Sequence, residues 1–381
     1  MALNHDTRDA QARDGRTVTV LGLESSCDDS AAAIVRRHGD GSVDILADAV
    51  IGQNSEHAPF GGVVPEIAAR AHAERMDTLA AGVLAEAGLT LADMDAIAAT
   101  SGPGLIGGVM AALMTAKGLA LGADKPLIAV NHLEGHALSA RLTHTVEFPY
   151  LLLLVSGGHT QLVRVDGVGE MTRMGSTIDD AAGEAFDKTA KVMGLGFPGG
   201  PAVEALARTS TDPQRFALPR MLSRDRGCDF SFAGLKTAAK RAFDSLETPT
   251  QADKADLAAG VQREIARHLA ERAGRAMDIF ADSAGENAKG LTLVVAGGVA
   301  ANGAVRDALE LMAGSKGFTL IAPPLKYCTD NAAMIALAGA ERFVLGRIDG
   351  LDAPARARWP LDETSAAANP ASGAGRKGPK A

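Results

Sequence analysis

Residues 18–35 read VTVLGLESSCDDSAAAIV, and residues 151–165 read LLLLVSGGHTQLVRV. Each is an apolar run, a short polar turn and a second apolar run, which is the pattern of a two-stranded hairpin with a polar tip. The first tip, SSCDDS, is acidic; the second, SGGHT, is rich in glycine. Helix and strand signals alternate after each hairpin. The first is followed by a helical stretch at 67–87, a buried strand at 96–100, the loop SGPGLIGG, an apolar helix at 109–121, a strand at 126–130, and NHLEGH opening a further helix. The second is followed by helical segments at 178–193 and 255–276, a strand at 291–296, the turn GGVAAN, a helix at 303–312, a strand at 319–322, the loop PPLKYCTDN and a helix at 332–345. The restart at residue 151 reads as an internal duplication. The expected class is α/β, with two lobes and a ligand in the cleft between them.

Duplicated lobes, each opened by a phosphate-facing hairpin, resemble the actin, Hsp70 and sugar-kinase superfamily, which implies two RNase H-like lobes. On that reading residues 17–148 form the first lobe, helix 332–345 packs back on it, and residues 149–331 form the second. Residues 1–16 are polar and expected to be disordered, and 346–381 largely so, ending in an aperiodic Ala, Ser, Gly and Pro tract.

Composition bounds the function. The 381 residues are 46% hydrophobic and 22% charged, enough to bury a substantial core. A net charge of −8 argues against a general nucleic-acid binder, though not against a local basic face. Cys27, Cys228 and Cys328 are few, odd in number and far apart, so a disulfide framework is not expected and a reducing compartment is. The N-terminus lacks the apolar core of a signal peptide, and no apolar run reads as long as a membrane span. The expectation is a cytoplasmic protein with no membrane contact.

Three turns directly follow apolar strands: SSCDDS at 25–30, SGGHT at 156–160 and AGGVAAN at 296–302. Glycine lets backbone N–H groups approach a phosphate or carbonyl closely, and the third turn runs into a helix N-terminus. Each is either a tight structural turn or one wall of a nucleotide-like site. Asp28 and Asp29 at the first tip can bind a metal, accept a proton or cap the turn. In IDDAAGEAFDKTAK, residues 178–191, most charges suit a solvated helix face, and Asp187 is a ribose ligand if the helix edge faces the cleft.

NHLEGH places His132 and His136 four residues apart, hence about 40° apart on a helix and able to share one metal. The competing reading is a pair of surface histidines. A zinc-protease HExxH is poorly supported, because Leu133 occupies the general-base position and Glu134 lies about 200° round from His132. Asp330, before the helix at 332–345, is the candidate third ligand. Two histidines and a carboxylate with open positions suit Fe(2+), and Zn(2+) less distinctively.

Eight segments, LGLESSCDDS, GGVVPEIAARAH, TSGPGLIGG, NHLEGH, LLVSGGHTQL, IDDAAGEAFDKTAK, VAGGVAAN and PPLKYCTDN, together resemble the family of bacterial tRNA N6-adenosine threonylcarbamoyltransferases, in order from about residue 18 to about 345. The resemblance implies transfer of threonylcarbamoyl from threonylcarbamoyl-AMP to the N6 amine of the adenosine 3′ of the anticodon, in tRNAs reading codons that begin with A. It implies a metal on His132, His136 and Asp330, Fe(2+) first, with Zn(2+) or Mg(2+) as alternatives. It implies that Val155, Ser156, Gly157, Gly158 and His159 line the threonylcarbamoyl-phosphate part, and that Asp187, Gly200 and Asn302 hold the adenosine end. Asp28 is the expected base, from its position alone. A smaller actin-like paralogue and a P-loop ATPase are the implied helper subunits. Ser25 and Asp29 stand where the family often has Thr and Glu, and Phe60 where Tyr is common.

For the RNA, residues 215–241 offer Arg215, Arg220, Arg224, Arg226, Lys236, Lys240 and Arg241 against Asp225 and Asp229, interleaved with Phe216, Phe230 and Phe232. The alternative there is a solvated surface. For the whole chain the alternatives are an ATPase or small-molecule kinase of the same fold, and a non-catalytic scaffold of an RNA-modifying complex.

Overall fold

The structure, a computed structural model, describes residues 15–60, 62–284 and 290–362. The disorder expected of 1–14 and 363–381 lies outside the described residues. Two compact units divide the chain: one takes it up to Thr145 and again over Asp330–Leu361, the other takes Val146–Thr329.

The first unit is built on β1 (Val18–Glu24), β2 (Ser30–Arg37), β3 (Val43–Ile51), β4 (Ala96–Gly102) and β5 (Leu127–Asn131), in the order β3-β2-β1-β4-β5. The first three strands pair antiparallel, and β1, β4 and β5 pair parallel. The second unit repeats this with β6 (Tyr150–Val155), β7 (Thr160–Gly167), β8 (Glu170–Ser176), β9 (Thr292–Ala296) and β10 (Thr319–Ile321), in the order β10-β9-β6-β7-β8. Here too a three-stranded meander is extended by parallel strands. This is the actin/Hsp70/sugar-kinase-like α/β fold, with one sheet topology used twice. Strands β1, β4, β5 and β6 are buried along their whole length. Covered on both faces, they read as continuous apolar runs. The edge strands β3 and β8 have mixed burial and no such run, so they escaped the sequence reading.

In the first unit, α1 (Pro65–Ala87) and α2 (Ile106–Ala123) cover one sheet face. Met76, Leu79 and Val83 from α1 and Ala112, Leu113 and Ala116 from α2 meet Leu21, Leu23, Ile97 and Ala99. Residues of opposite parity point to the other face, where α9 (Ala332–Val344) lies. Glycine permits that close approach: a Cβ on Gly22 would stand 2.6 Å from Ala332 O, and one on Gly339 would stand 2.4 Å from Ala98 Cβ. The short α3 (His132–Leu138) follows β5 directly. The second unit carries α4 (Ala182–Val192), α5 (Gly199–Ala207), α6 (Ala233–Asp244), the long α7 (Gln251–Ala284) and α8 (Gly303–Ser315).

Three expectations are corrected. Helix α4 starts at Ala182, not at residue 178, because the intervening carboxylates are used elsewhere. Asp179 accepts from Phe232 N and Ala233 N at the start of α6, and Asp180 binds Lys188 and Lys236. Helix α2, read only as 109–121, extends to 18 residues and is long and apolar enough to cross a membrane by length and composition; a third of it is buried. Its inward side is core of the first unit. The chain beyond Gly346 stays attached as far as it is described. Asp349 N donates to Leu127 O at 2.9 Å, Ala129 N donates to Asp349 Oδ2 at 2.9 Å, and Arg356 N donates to Ser101 O at 2.8 Å. The first two bonds supply partners to backbone groups of β5, a strand at the edge of its sheet, and the third reaches the end of β4.

Candidate metal centre

The centre begins at a strand end. β5 stops at Asn131, whose side-chain oxygen accepts from Leu133 N at 2.9 Å and caps α3. All seven residues of α3 are buried. Glu134 leaves on the far side, where Arg342 Nη1 reaches it at 3.0 Å. His132 and His136 share the near side, their rings edge to face with centroids 4.7 Å apart. Asp330 arrives from 194 residues away. It immediately precedes Asn331, whose side chain caps α9 through Met334 N. Asp330 Oδ1 lies 3.0 Å from His136 Nε2 and 3.5 Å from His132 Nε2.

Behind His132 stands Glu24, the fully buried last residue of β1. Its Oε2 lies 2.9 Å from His132 Nδ1, and Ser26 Oγ lies 3.1 Å from the same nitrogen. Glu24 also accepts from Ser26 N at 2.5 Å and from the Thr100 hydroxyl. With Nδ1 facing this carboxylate, Nε2 points to Asp330. A carboxylate held against Nδ1 in this way fixes the ring and leaves Nε2 free to bind a metal.

The charges favour a cation. Burial opposes a charged His132, yet Glu24 and Asp330 raise it well above the usual histidine range. Burial likewise opposes a charged Asp330, but His132 and His136 hold it well below the usual carboxylate range, and His132 holds Glu24 below it too. The three donor atoms lie within 4.8 Å of one another. A first-row cation bonded at about 2.1 Å sets neighbouring ligands about 3.0–3.4 Å apart. The His136–Asp330 separation of 3.0 Å falls in that range and the His132–Asp330 separation of 3.5 Å lies just above it, so His132, His136 and Asp330 fit a divalent metal after a small adjustment of the side chains.

At the neighbouring β1–β2 tip, the informative carboxylate is Asp29. Burial, then Asp330, Asp28 and Glu24, raise its pKa to about 7. The sequence showed an acidic pair; which member carries the perturbed carboxyl depends on burial that the sequence does not display.

In the second unit, Val155 ends β6 and Ser156–His159 form the tip of the next hairpin. Ser156 N donates to His159 O at 2.8 Å, and His159 N donates to Ser156 Oγ at 3.1 Å. Two glycines outside the predicted set hold this tip. A Cβ on Gly297, whose φ is +95°, would stand 2.4 Å from Val155 O; one on Gly183 would stand 2.6 Å from Ser156 O. A Cβ on Gly200 meets nothing within 4 Å, so space is open beside it. Asp187 Oδ1 accepts from Gly199 N at 2.8 Å at the start of α5. Asn302 caps α8, accepting from Val305 N at 3.1 Å and donating to Gln262 Oε1 at 2.9 Å.

The aromatic basic face expected at 215–241 is corrected. Phe230 and Phe232 are fully buried. Phe230 pairs with β8 and its extension, through Phe230 N to Ser176 O and Ile178 N to Phe230 O. The strand period then turns residues 228, 230 and 232 inward together; the alternation in CDFSF carried that signal. Several cations are already engaged: Arg215 with Asp253 and Asp256, Lys236 with Asp180, and Lys240 with Asp244. Arg220, Arg224, Arg226 and Arg241 remain exposed and without an ion pair among the described residues.

The chain has close relatives. The profile of the tRNA N6-adenosine threonylcarbamoyltransferase family matches residues 44–337. The protein of that name from Maricaulis maris (strain MCS10) is 69% identical over 366 residues, covering 96% of this chain and 97% of the relative. The one from Caulobacter vibrioides is 60% identical over 362 residues, covering 95% and 97%. Among solved structures, HypF of T. kodakarensis matches with a TM-score of 0.52 at 14% identity, over 87% of this chain and 48% of that one, a likeness of fold alone.

Proposed function

This chain belongs to the tRNA N6-adenosine threonylcarbamoyltransferase family, and from that membership we propose how its own residues carry the transfer. It is an acyltransferase that modifies adenosine in tRNA. The donor is threonylcarbamoyl-AMP, and the acceptor is the N6 amine of the adenosine 3′ of the anticodon in tRNAs reading codons that begin with A. The N6–carbonyl bond forms, the bond from the carbonyl carbon to the phosphate oxygen breaks, AMP leaves, and N6 gives up a proton.

His132, His136 and Asp330 hold one divalent cation, with Glu24 orienting His132. The reading rests above all on this convergence of two histidines and a carboxylate at 3.0 and 3.5 Å. Two imidazoles and a carboxylate favour Fe(2+) or Zn(2+) over Mg(2+), which prefers oxygen ligands. When bound, such a cation supplies Lewis acidity and a template for the donor's oxygens. The hairpin tip Val155–His159 receives the threonylcarbamoyl-phosphate part, where backbone N–H groups can stabilise charge developing on the carbonyl oxygen. The open space beside Gly200 admits the adenosine end, and Asp187 and Asn302 shape its walls by fixing the starts of α5 and α8. The Asp28–Asp29 pair takes the N6 proton. A base works best with a pKa near the working pH, and the raised Asp29 supports that role for the pair.

An exposed apolar stripe, Ile106, Met110 and Met114, runs along α2 at helical spacing and supports docking of a helper subunit, the smaller actin-like paralogue; a P-loop ATPase is the second helper. We take the cytoplasm as the compartment, where unmodified tRNA is met. The test is reconstitution with helper subunits, threonylcarbamoyl-AMP and unmodified tRNA, followed by nucleoside mass analysis. Threonylcarbamoyladenosine is expected; a fully assembled, metal-loaded complex that leaves the tRNA unmodified defeats the proposal.

A further inference from the structure

In the second unit, the loop from Arg220 to Gly227 is held from beneath by α7. Arg272 is 1% exposed, and its guanidinium collects the inward-turned carbonyls of the loop. Nη2 donates to Leu222 O at 2.6 Å; Nη1 donates to Gly227 O at 2.5 Å and to Asp225 Oδ1 at 2.9 Å. One turn along α7, Arg275 Nη1 also donates to Asp225 O, and to Gly227 O at 3.2 Å. Leu222 sits at φ +45°, a left-handed conformation that a branched side chain rarely takes and that the surrounding bonds must maintain.

Burying a guanidinium is unfavourable unless its protons find acceptors. Here the acceptors are mostly loop carbonyls, so the buried charge fixes a backbone shape. With carbonyls turned in, Ser223, Arg224, Asp225 and Arg226 lie on the outside. Asp225 makes its ion pair inward, its Oδ1 taken by Arg272 and by Gly227 N at 2.7 Å, and makes none with Arg224 or Arg226 among the described residues. Arg220, Arg224 and Arg226 make no ion pair among the described residues, whereas Arg215, Lys236 and Lys240 of the same stretch all do. Beneath the loop, burial first and then Arg272, Arg267 and Arg275 push His268 down to about 3. On a chain of net charge −8, this is a preshaped local cationic surface.

The geometry points to residues 220–227 as an arginine loop that grips backbone phosphates of the tRNA, with Arg272 as the residue that positions it. The inference rests on the transferase reading for its ligand. Guanidinium forks suit phosphate oxygens, and a rigid loop presents them with less ordering cost than free side chains.

The test uses the full chain with its helper subunits and unmodified tRNA, with binding measured from about 50 to about 200 mM salt. Neutralising two phosphate contacts in Arg224→Gln/Arg226→Gln should lower the slope of log affinity against log salt by about 1.5, and weaken binding roughly tenfold or more. Arg272→Lys keeps the charge but cannot bridge Leu222 O and Gly227 O. It should also weaken tRNA binding and flatten the slope, while threonylcarbamoyl-AMP binding stays. A residue that only stabilised the fold would lower the unfolding midpoint and leave the slope of the folded protein unchanged, and that outcome removes Arg272's positioning role. Wild-type affinity and slope in the Arg224→Gln/Arg226→Gln variant overturn the loop as an RNA site, even while wild-type complex modifies tRNA. A wild-type complex that neither binds nor modifies tRNA defeats the transferase reading, and the loop's assignment with it.

Discussion

His268 makes the second unit sensitive to mild acid by a calculable amount. Its ring is fully buried on α7, edge-on to Phe230 and Phe232 with centroids 5.7 and 5.4 Å away. Nε2 accepts from Ser231 N at 3.3 Å, which requires an unprotonated nitrogen there. The charged groups around it are Arg267, Arg272 and Arg275 on its own helix and Asp179 across, which is bound to Ser231 and Phe232. Burial first, then the arginines, lower its pKa from 6.5 to about 3. The unfolded chain therefore takes up a proton as pH falls through 6.5, while the folded chain refuses it until about 3. Stability is retained above 6.5 and lost progressively between those values. Linkage over that interval gives a loss of about 2 kcal/mol between pH 7 and pH 5 from this residue alone. The perturbation is His268→Gln, which removes the titration and keeps an acceptor for Ser231 N–H. Urea unfolding is followed by far-ultraviolet circular dichroism, because the single tryptophan, Trp359, belongs to the first unit. Each protein is measured at both pH values, and the difference of differences cancels every other titrating group. His268→Gln should lose about 2 kcal/mol less than wild type on acidification. Parallel losses in the two proteins would refute a buried neutral His268.

Four further outcomes are expected. His132→Ala or Asp330→Ala should abolish stoichiometric metal and transfer together. Glu24→Gln should weaken metal binding about 10- to 100-fold by loosening the orientation of His132. Metal analysis and chelator competition read both, and full occupancy in a His132→Ala/His136→Ala protein sinks the centre. Asp29→Asn should slow transfer by about two to four orders of magnitude and remove a rise in rate through about pH 7, the range in which the Asp29 carboxylate forms; an unchanged pH profile moves the proton acceptor elsewhere. Gly183→Ala should weaken donor binding at least several-fold without loss of metal, since the new Cβ would stand 2.6 Å from Ser156 O. Wild-type donor affinity would show that the Ser156 tip does not touch the donor.

Much of the fold was legible because the parallel strands β1, β4, β5, β6 and β9 are short apolar runs bounded by glycine and polar turns. The antiparallel edges β3 and β8 were not, because half-exposed strands lack both a run and a clean alternation. His132 and His136 could be paired from helical spacing. Asp330 was brought to them by resemblance and position, and only the three-dimensional structure shows the 3.0 Å separation. Glu24 was not singled out, because a carboxylate ending a hydrophobic strand looks like ordinary turn chemistry until its burial is known. The misreading at 230 and 232 came from counting aromatics beside cations without asking which face a period of two would give them.

The duplication separates two kinds of chemistry. The β1–β2 and β6–β7 hairpins occupy equivalent positions in their sheets, each being the central antiparallel pair beside a parallel strand. At the first tip stand Glu24, Asp28 and Asp29, and burial first, then the neighbouring carboxylates, raise the carboxyl of Asp29. Such a tip suits the cation and proton-accepting roles proposed for it. At the second, Ser156–His159 contributes no acidic side chain, and two flanking glycines hold the Val155 and Ser156 carbonyls, so the tip is suited to an electron-rich ligand. The two tips thus differ in charge through their residues alone, while the sheet order that presents each of them is the same.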